Sequence, residues 1–245
     1  MDITTLAGIV GFGVFIAVGI ATNQISSTML NAHGAYMVLG GTLIAMLINT
    51  PLKFLVKSLT EIGILFREDE ADNPEKLIPV IVDLAEQCRS RGMAAMRDVA
   101  PHTAGGFINR AATAALEYND SQFVKQVMEQ EINQVADEEN EIANVYRSMS
   151  ILAPMFGLLG TLIGIIGVLR DLANPETVGP AMSVAITSAL YGIFFANMIC
   201  VPIAGKIRAR IWMKVKMKSM ILDGVLEIMK GSIPMVVERR LQSYL

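Results

Sequence analysis

The sequence predicts an all-α, polytopic membrane protein with four transmembrane helices and a helical cytoplasmic domain. Three observations carry this expectation. The first is composition: 53% of the 245 residues are hydrophobic and only 18% are charged, with a mean hydropathy of +0.48, high for a soluble domain of this length. The second is that the apolar residues gather into four stretches, each close to the ~20 residues needed to cross a bilayer. The third is charge placement: of 20 Lys and Arg residues, only Arg170 falls in a short loop between paired stretches.

The elements follow in order. The first span runs roughly from Ile3 to Ala21 and the second from Leu30 to Ile48, joined by the polar turn "TNQISS". The first span lacks a basic leader and a small-residue cleavage site, so it reads as a retained span rather than a signal peptide. A polar region then runs from Pro51 to Arg147. Within it, "NPEKLIPVIVDLAEQC" opens with Asn73 as a candidate cap and Pro74 in the first helical turn. From Asp120 a longer helix starts, with Phe123, Val124, Val127, Met128, Ile132 and Val135 at helical spacing. No Pro or Gly interrupts it before Ala153, so it is expected to run into the third span, Ser150 to Leu169. The fourth span covers Ala181 to Ile203 and a basic tail follows. The expected organisation is therefore 1–50 (helices one and two), 51–147 (cytoplasmic helical domain), 148–205 (helices three and four) and 206–245 (cytoplasmic tail). Lys53, Lys57, Lys206, Arg208 and Arg210 lie close to span ends, which puts the middle region and both termini on the cytoplasmic side.

Other classes are disfavoured. A net charge of −3 gives no footing for nucleic acid; the tail "KIRARIWMKVKMK", directly after a span, suits anionic headgroups better. Cys88 and Cys200 lie in unlike surroundings, so neither a disulfide nor a cysteine framework is expected. No phosphate loop, His-Glu-x-x-His or Cys-x-x-Cys motif is present, and no metal site, cofactor or enzymatic chemistry is expected.

The chemistry concentrates in the last two spans. Gly157, Gly160, Gly164 and Gly167 step by 3, 4 and 3 residues, which places them on one helical face where another backbone can approach closely. Thr161 lies beside that face, and Pro154 removes a backbone donor near its start. In the fourth span Ser183, Thr187 and Tyr191 step by four, with Ser188 adjacent. The resulting hydroxyl-lined seam has two readings: helix packing, with each hydroxyl bonded to its own helix, or the wall of an ion path. The apolar core of every span lacks Asp, Glu, Lys and Arg; His33 lies near an edge and His102 in a loop. An ion relay through hydrocarbon normally uses an ionisable side chain, so an ion path here requires an acid from another chain.

At "APMFGLLGTLIGIIGVL" leading into "NPETVGPAMSVAITSALYGIFFANMICVPIAGKI", with "VLGGTLIAMLINTPLKF" and "VVERRLQSYL" in support, the chain resembles the MotA/PomA flagellar stator family within the MotA/TolQ/ExbB group. The resemblance spans nearly the whole length. It implies a pentamer in the bacterial inner membrane around two helices of a MotB/PomB-type partner, whose aspartate carries H⁺ or Na⁺. It also implies an ion pathway bordered by Pro154, Gly160, Thr161, Gly164, Thr187, Ser188, Tyr191 and Pro202. A contact with the rotor protein FliG would be built on Arg89, Arg91, Arg97 and Asp98; relatives carry an acid at the position of Arg97. Sodium-type relatives match at Thr161, whereas their Thr-Thr pair aligns with Ser188 and Ala189. An alternative load is another envelope process, driven in the TolQ/ExbB manner.

Overall fold

The computed structural model describes residues 3–22, 31–61, 74–100, 102–170, 172–173 and 175–245. Among these, every regular element is a helix and none is a strand. Three helical stretches are long and apolar enough to cross a membrane: Ala32–Asn49, one within Ser121–Arg170 and one within Glu176–Met229. The helix α1, Ile3–Ala21, adds 19 largely apolar residues. This is a membrane protein. Asn73 and most of the "TNQISS" turn lie outside the described residues.

The chain divides into two compact units. The first takes the described residues of 1–68 and 141–208. It holds α1, α2 (Ala32–Ala35), α3 (Gly41–Asn49), α4 (Leu52–Glu61), the C-terminal part of α7 (Ser121–Arg170), α8 (Pro175–Phe194) and the start of α9 (Val201–Met229). Two π-helical turns, Tyr36–Gly40 and Phe195–Cys200, join α2 to α3 and α8 to α9 without ending the helix. Thr50 stops α3 in an extended conformation, as expected of the residue before a proline, and the Pro51 carbonyl accepts from Phe54 N at 3.0 Å to start α4. The buried Tyr146 hydroxyl donates to the Ser58 carbonyl at 2.7 Å, tying α4 to α7.

The second unit takes the described residues of 69–140 and 209–245. It holds α5 (Pro74–Arg91), a 3₁₀ turn at Met93–Asp98, α6 (Phe107–Tyr118), the N-terminal part of α7, most of α9 and α10 (Pro234–Gln242). Its core gathers Leu77, Ile81, Phe107, Ile108, Met220 and Ile221, with Val225 and Leu241. Helix ends here follow from local chemistry. Asn119 closes α6 in the left-handed region, and its neighbour Asp120 caps α7 by accepting from Gln122 N and Phe123 N at 2.8 and 3.3 Å. α9 ends where Gly231, at φ +76°, lets its own N–H reach Ile228 O and that of Ser232 reach Glu227 O, a Schellman motif. Pro234 then starts α10. The helix expected from Asp120 into the third span is observed as one 50-residue element that passes through Pro154.

Candidate functional site

The glycine face of α7 lies against α8 of the same chain. A methyl group on Gly157 would sit 2.8 Å from Ser188 O, one on Gly160 2.6 Å from Ser188 Cβ, and one on Gly164 2.7 Å from Ala185 Cβ. Gly192 of α8 answers from the other side, 2.6 Å from Ala153 O on the same measure. Moving down α7 from 164 to 157 and 153 means moving up α8 from 185 to 188 and 192, so the helices run antiparallel. Their backbones are close enough that only hydrogen, not a Cβ, fits between them. Gly167 is looser, with Ala181 Cβ at 3.6 Å. Close backbone approach of this kind is the van der Waals route to helix association in lipid, where apolar side chains gain little by leaving the hydrocarbon.

Thr161 adds the polar link. Its hydroxyl lies 3.0 Å from Ala185 O on α8 and 3.1 Å from Gly157 O on its own helix. One proton serves these two acceptors, and the lone pairs of Oγ1 stay unused by them. Thr187 and Ser188 are buried, and each donates back to its own helix, to Ser183 O at 2.7 Å and Val184 O at 2.6 Å. α2 covers them through Gly34, whose added methyl would meet Thr187 Oγ1 at 2.9 Å. Next to it Asn31 caps α2 with its side-chain oxygen, donates from its backbone N to Tyr191 Oη at 2.9 Å, and places Nδ2 3.4 Å from Ser183 Oγ. Pro154 is half-buried beside Gly192, whereas Pro202 is exposed on α9 and away from these contacts. The seam of Gly160, Thr161, Gly164, Thr187, Ser188 and Tyr191 is thus brought together, with Pro154 at one end and Pro202 outside it.

Asn31, Gly34 and Gly192 were not singled out from the sequence. A helical repeat marks small residues on one helix, but which helix they face is a tertiary fact. The spacing from Ser188 to Gly192 was the one available signal. Thr42 was also missed. It is buried on α3 between Val38 and Met46 in register, and its hydroxyl has no partner among the described residues. The outer face of α7, with Met155, Leu158, Leu162, Ile166 and Leu169, is exposed and apolar.

In the second unit, Arg89 and Arg91 occupy the last turn of α5, where cations oppose the helix macrodipole. Gly92 (φ +80°, ψ 175°) then turns the chain into the 3₁₀ segment that ends in Arg97 and Asp98. All four side chains are exposed, and none forms an ion pair among the described residues. They form an edge of unpaired charge rather than a structural network.

Residues 102–220, which contain the seam, match the model of the MotA/TolQ/ExbB proton channel family. Over that stretch the chain is similar to that family. Relatives extend the likeness over the whole length. Motility protein A of Bacillus subtilis is 29% identical, covering 100% of this chain and 91% of that protein. Chemotaxis protein PomA of Vibrio alginolyticus is 28% identical, covering 100% and 96%. The structure of the flagellar MotAB stator complex from Bacillus subtilis superposes with a TM-score of 0.86 at 28% identity, again covering 100% of this chain and 96% of the matched one.

Proposed function

We propose that the chain is an ion-conducting stator subunit of a bacterial flagellar motor, a channel component and not an enzyme. The observation that carries the reading is the full-length likeness to a MotAB stator at a TM-score of 0.86, together with an α7–α8 seam that offers small residues and hydroxyls but no acid. In this reading α1, α2–α3, the apolar part of α7 and α8 are the four spans of an inner-membrane protein with cytoplasmic termini. The α4 stripe of Leu52, Val56 and Leu59, exposed in the single chain, rests along the membrane surface beside Lys53 and Lys57.

Five copies surround two helices of a MotB/PomB-type partner, and the partner's aspartate binds the transported H⁺ or Na⁺. Gly160, Gly164, Thr187 and Ser188 set the spacing of the wall. Pro154, Thr161, Tyr191 and Pro202 border the path. Arg89, Arg91, Arg97 and Asp98 meet a FliG-type rotor protein. One charge crossing about 100 mV releases about 2.3 kcal/mol, enough to drive a step of the pentamer around its partner.

Co-expression with the neighbouring single-span protein in a stator-less host, with swimming scored across Na⁺ concentrations at fixed pH, tests the reading. Swimming that depends on both chains supports it, and its Na⁺ or protonophore sensitivity names the ion. A stable complex that conducts ions but never turns a motor would move the assignment to the TolQ/ExbB-like load, and the Arg97 position is the feature that favours that alternative.

A further inference from the structure

The span formed by α2 and α3 changes helix type midway. The π turn Tyr36–Gly40 holds one residue more than an α turn. On one side of it α2 is held against α8: Gly34 seats on Thr187 and Ser188, and Asn31 N donates to Tyr191 Oη. On the other side α3 is held against α7 through Gly41 and Phe156. A methyl group on Gly41 would lie 2.8 Å from Phe156 Cγ, at the stiff base of the ring. Thr42 and Met46 are buried on the same helix, whereas Leu43 and Leu47 are exposed.

Thr42 fits poorly in this register. A helical threonine ordinarily gives its hydroxyl proton to the carbonyl three or four residues back, here Leu39 or Val38. Neither takes it, and the buried Oγ1 has no partner among the described residues, which is costly. Val38 O instead accepts from Gly41 N, whose proton it shares with Met37 O. Losing the extra residue of the turn would carry every later residue into the place of its successor, a rotation of about 100° and a rise of about 1.5 Å. Gly40 would then meet Phe156 in place of Gly41, again without a Cβ. Thr42 would move to the exposed position of Leu43, with a regular α turn behind it to accept its proton. Ala45 would replace Met46 in the packed face and fill it less, which keeps the π register the resting one. The turn at Phe195–Cys200 is built differently: it contains no glycine, and Asn197 Nδ2 donates to Ile193 O at 2.9 Å.

We propose that the π turn Tyr36–Gly40 is a register switch: the structure shows its resting π state, and the subunit passes through the α state, with Gly40 on Phe156 and the Thr42 hydroxyl bonded to Val38 O, when it conducts. The two registers follow from packing alone; their use in conduction rests on the stator reading above and deepens it.

Two cysteine pairs in the full complex with its single-span partner report the two registers. Gly41→Cys with Phe156→Cys reads the π state and Gly40→Cys with Phe156→Cys reads the α state, since the Cβ atoms of a disulfide lie about 4 Å apart. Gly40→Cys alone is the blank for Cys88 and Cys200. Both pairs are expected to oxidise, the second about tenfold more slowly, as suits a minor state populated at about 10% or less. Gly40→Ala leaves Phe156 in place. In the π state its methyl meets only the Tyr36 ring, at 3.7 Å, so the denaturation midpoint is expected to hold or rise. Ion flux is expected to fall about tenfold, because the α state then sets a Cβ against Phe156. A Gly40–Phe156 pair that stays reduced while the Gly41–Phe156 pair closes overturns the switch, and so does full ion flux through Gly40→Ala. If the unaltered complex conducts no ions, the stator reading falls and takes the conduction step with it, while the cysteine pairs still decide whether the turn shifts.

Discussion

Replacing Gly192 by alanine is the sharpest test of how the α7–α8 wall is built. A methyl group there would lie 2.6 Å from Ala153 O, 3.1 Å from Pro154 Cα and 3.2 Å from Ala153 C. All three atoms are α7 backbone, so no flexible side-chain end can swing aside. Bringing the shortest contact to 3.4 Å, the lower edge of ordinary packing, moves the helices apart by about 0.8 Å. Overpacking of this kind costs about 1–3 kcal/mol, partly offset by the gain of up to about 1 kcal/mol when alanine replaces glycine in a helix. The net expectation is a loss of up to about 2 kcal/mol. Gly205, on α9 and with nothing within 4 Å of an added methyl, is the control. There only the helix term acts, and alanine should stabilise by about 0.5–1 kcal/mol. The assay is a denaturation midpoint for each variant in the purified, detergent-solubilised complex. The reasoning is refuted if Gly192→Ala raises the midpoint as Gly205→Ala does.

Two further predictions use the same measurement. Thr42→Val removes a buried hydroxyl that has no partner among the described residues and should raise the midpoint by the equivalent of about 1 kcal/mol or more. Thr187→Val removes a hydroxyl bonded to Ser183 O and should lower it by about 0.5–1.5 kcal/mol; equal effects would contradict the assignment. In the second unit, burial and the bond to Asp223 push the Tyr244 hydroxyl up to about 12. A raised value means that the folded state favours the protonated phenol. Its stabilising contribution is therefore complete below the ordinary value near 10 and is lost as pH climbs from about 10 to 12. Tyr244→Phe should flatten that part of a stability–pH curve, and an unchanged curve would remove Tyr244 from the argument.

Much of this was legible in the sequence, for identifiable reasons. The spans follow from runs of apolar residues, because a helix satisfies its own backbone hydrogen bonds in lipid. The continuity of α7 through "DEENE" followed from the absence of Pro and Gly between Asp120 and Ala153. The glycine face was legible as a face; its partner, Ser188 and Ala185 of the same chain, was not, because helical periodicity orients a surface without naming what covers it. The π turns at Tyr36–Gly40 and Phe195–Cys200 left no signal, since their composition is that of any apolar helix and the extra residue in the turn is a packing outcome. The tail after Ala204, read only as basic, continues as helix α9 to Met229.

Thr161 decides how ion choice is to be argued. Its proton is used on the carbonyls of Ala185 and Gly157, which leaves the oxygen lone pairs as its remaining chemistry. A hydroxyl oxygen can accept a cation on a lone pair without breaking either bond. If the proposed ion path runs along this seam, the Thr161 oxygen is a group there that can contact a Na⁺ ion. Serine at this position keeps the oxygen, and valine keeps the shape but removes it. If the path carries Na⁺, Thr161→Val should raise the Na⁺ concentration needed for half-maximal swimming about tenfold or more, the equivalent of losing about 1.4 kcal/mol of ligand interaction, and Thr161→Ser should restore most of it. If valine leaves swimming and its Na⁺ dependence unchanged, the hydroxyl serves only to join α7 to α8, and the ion is chosen by the partner chain.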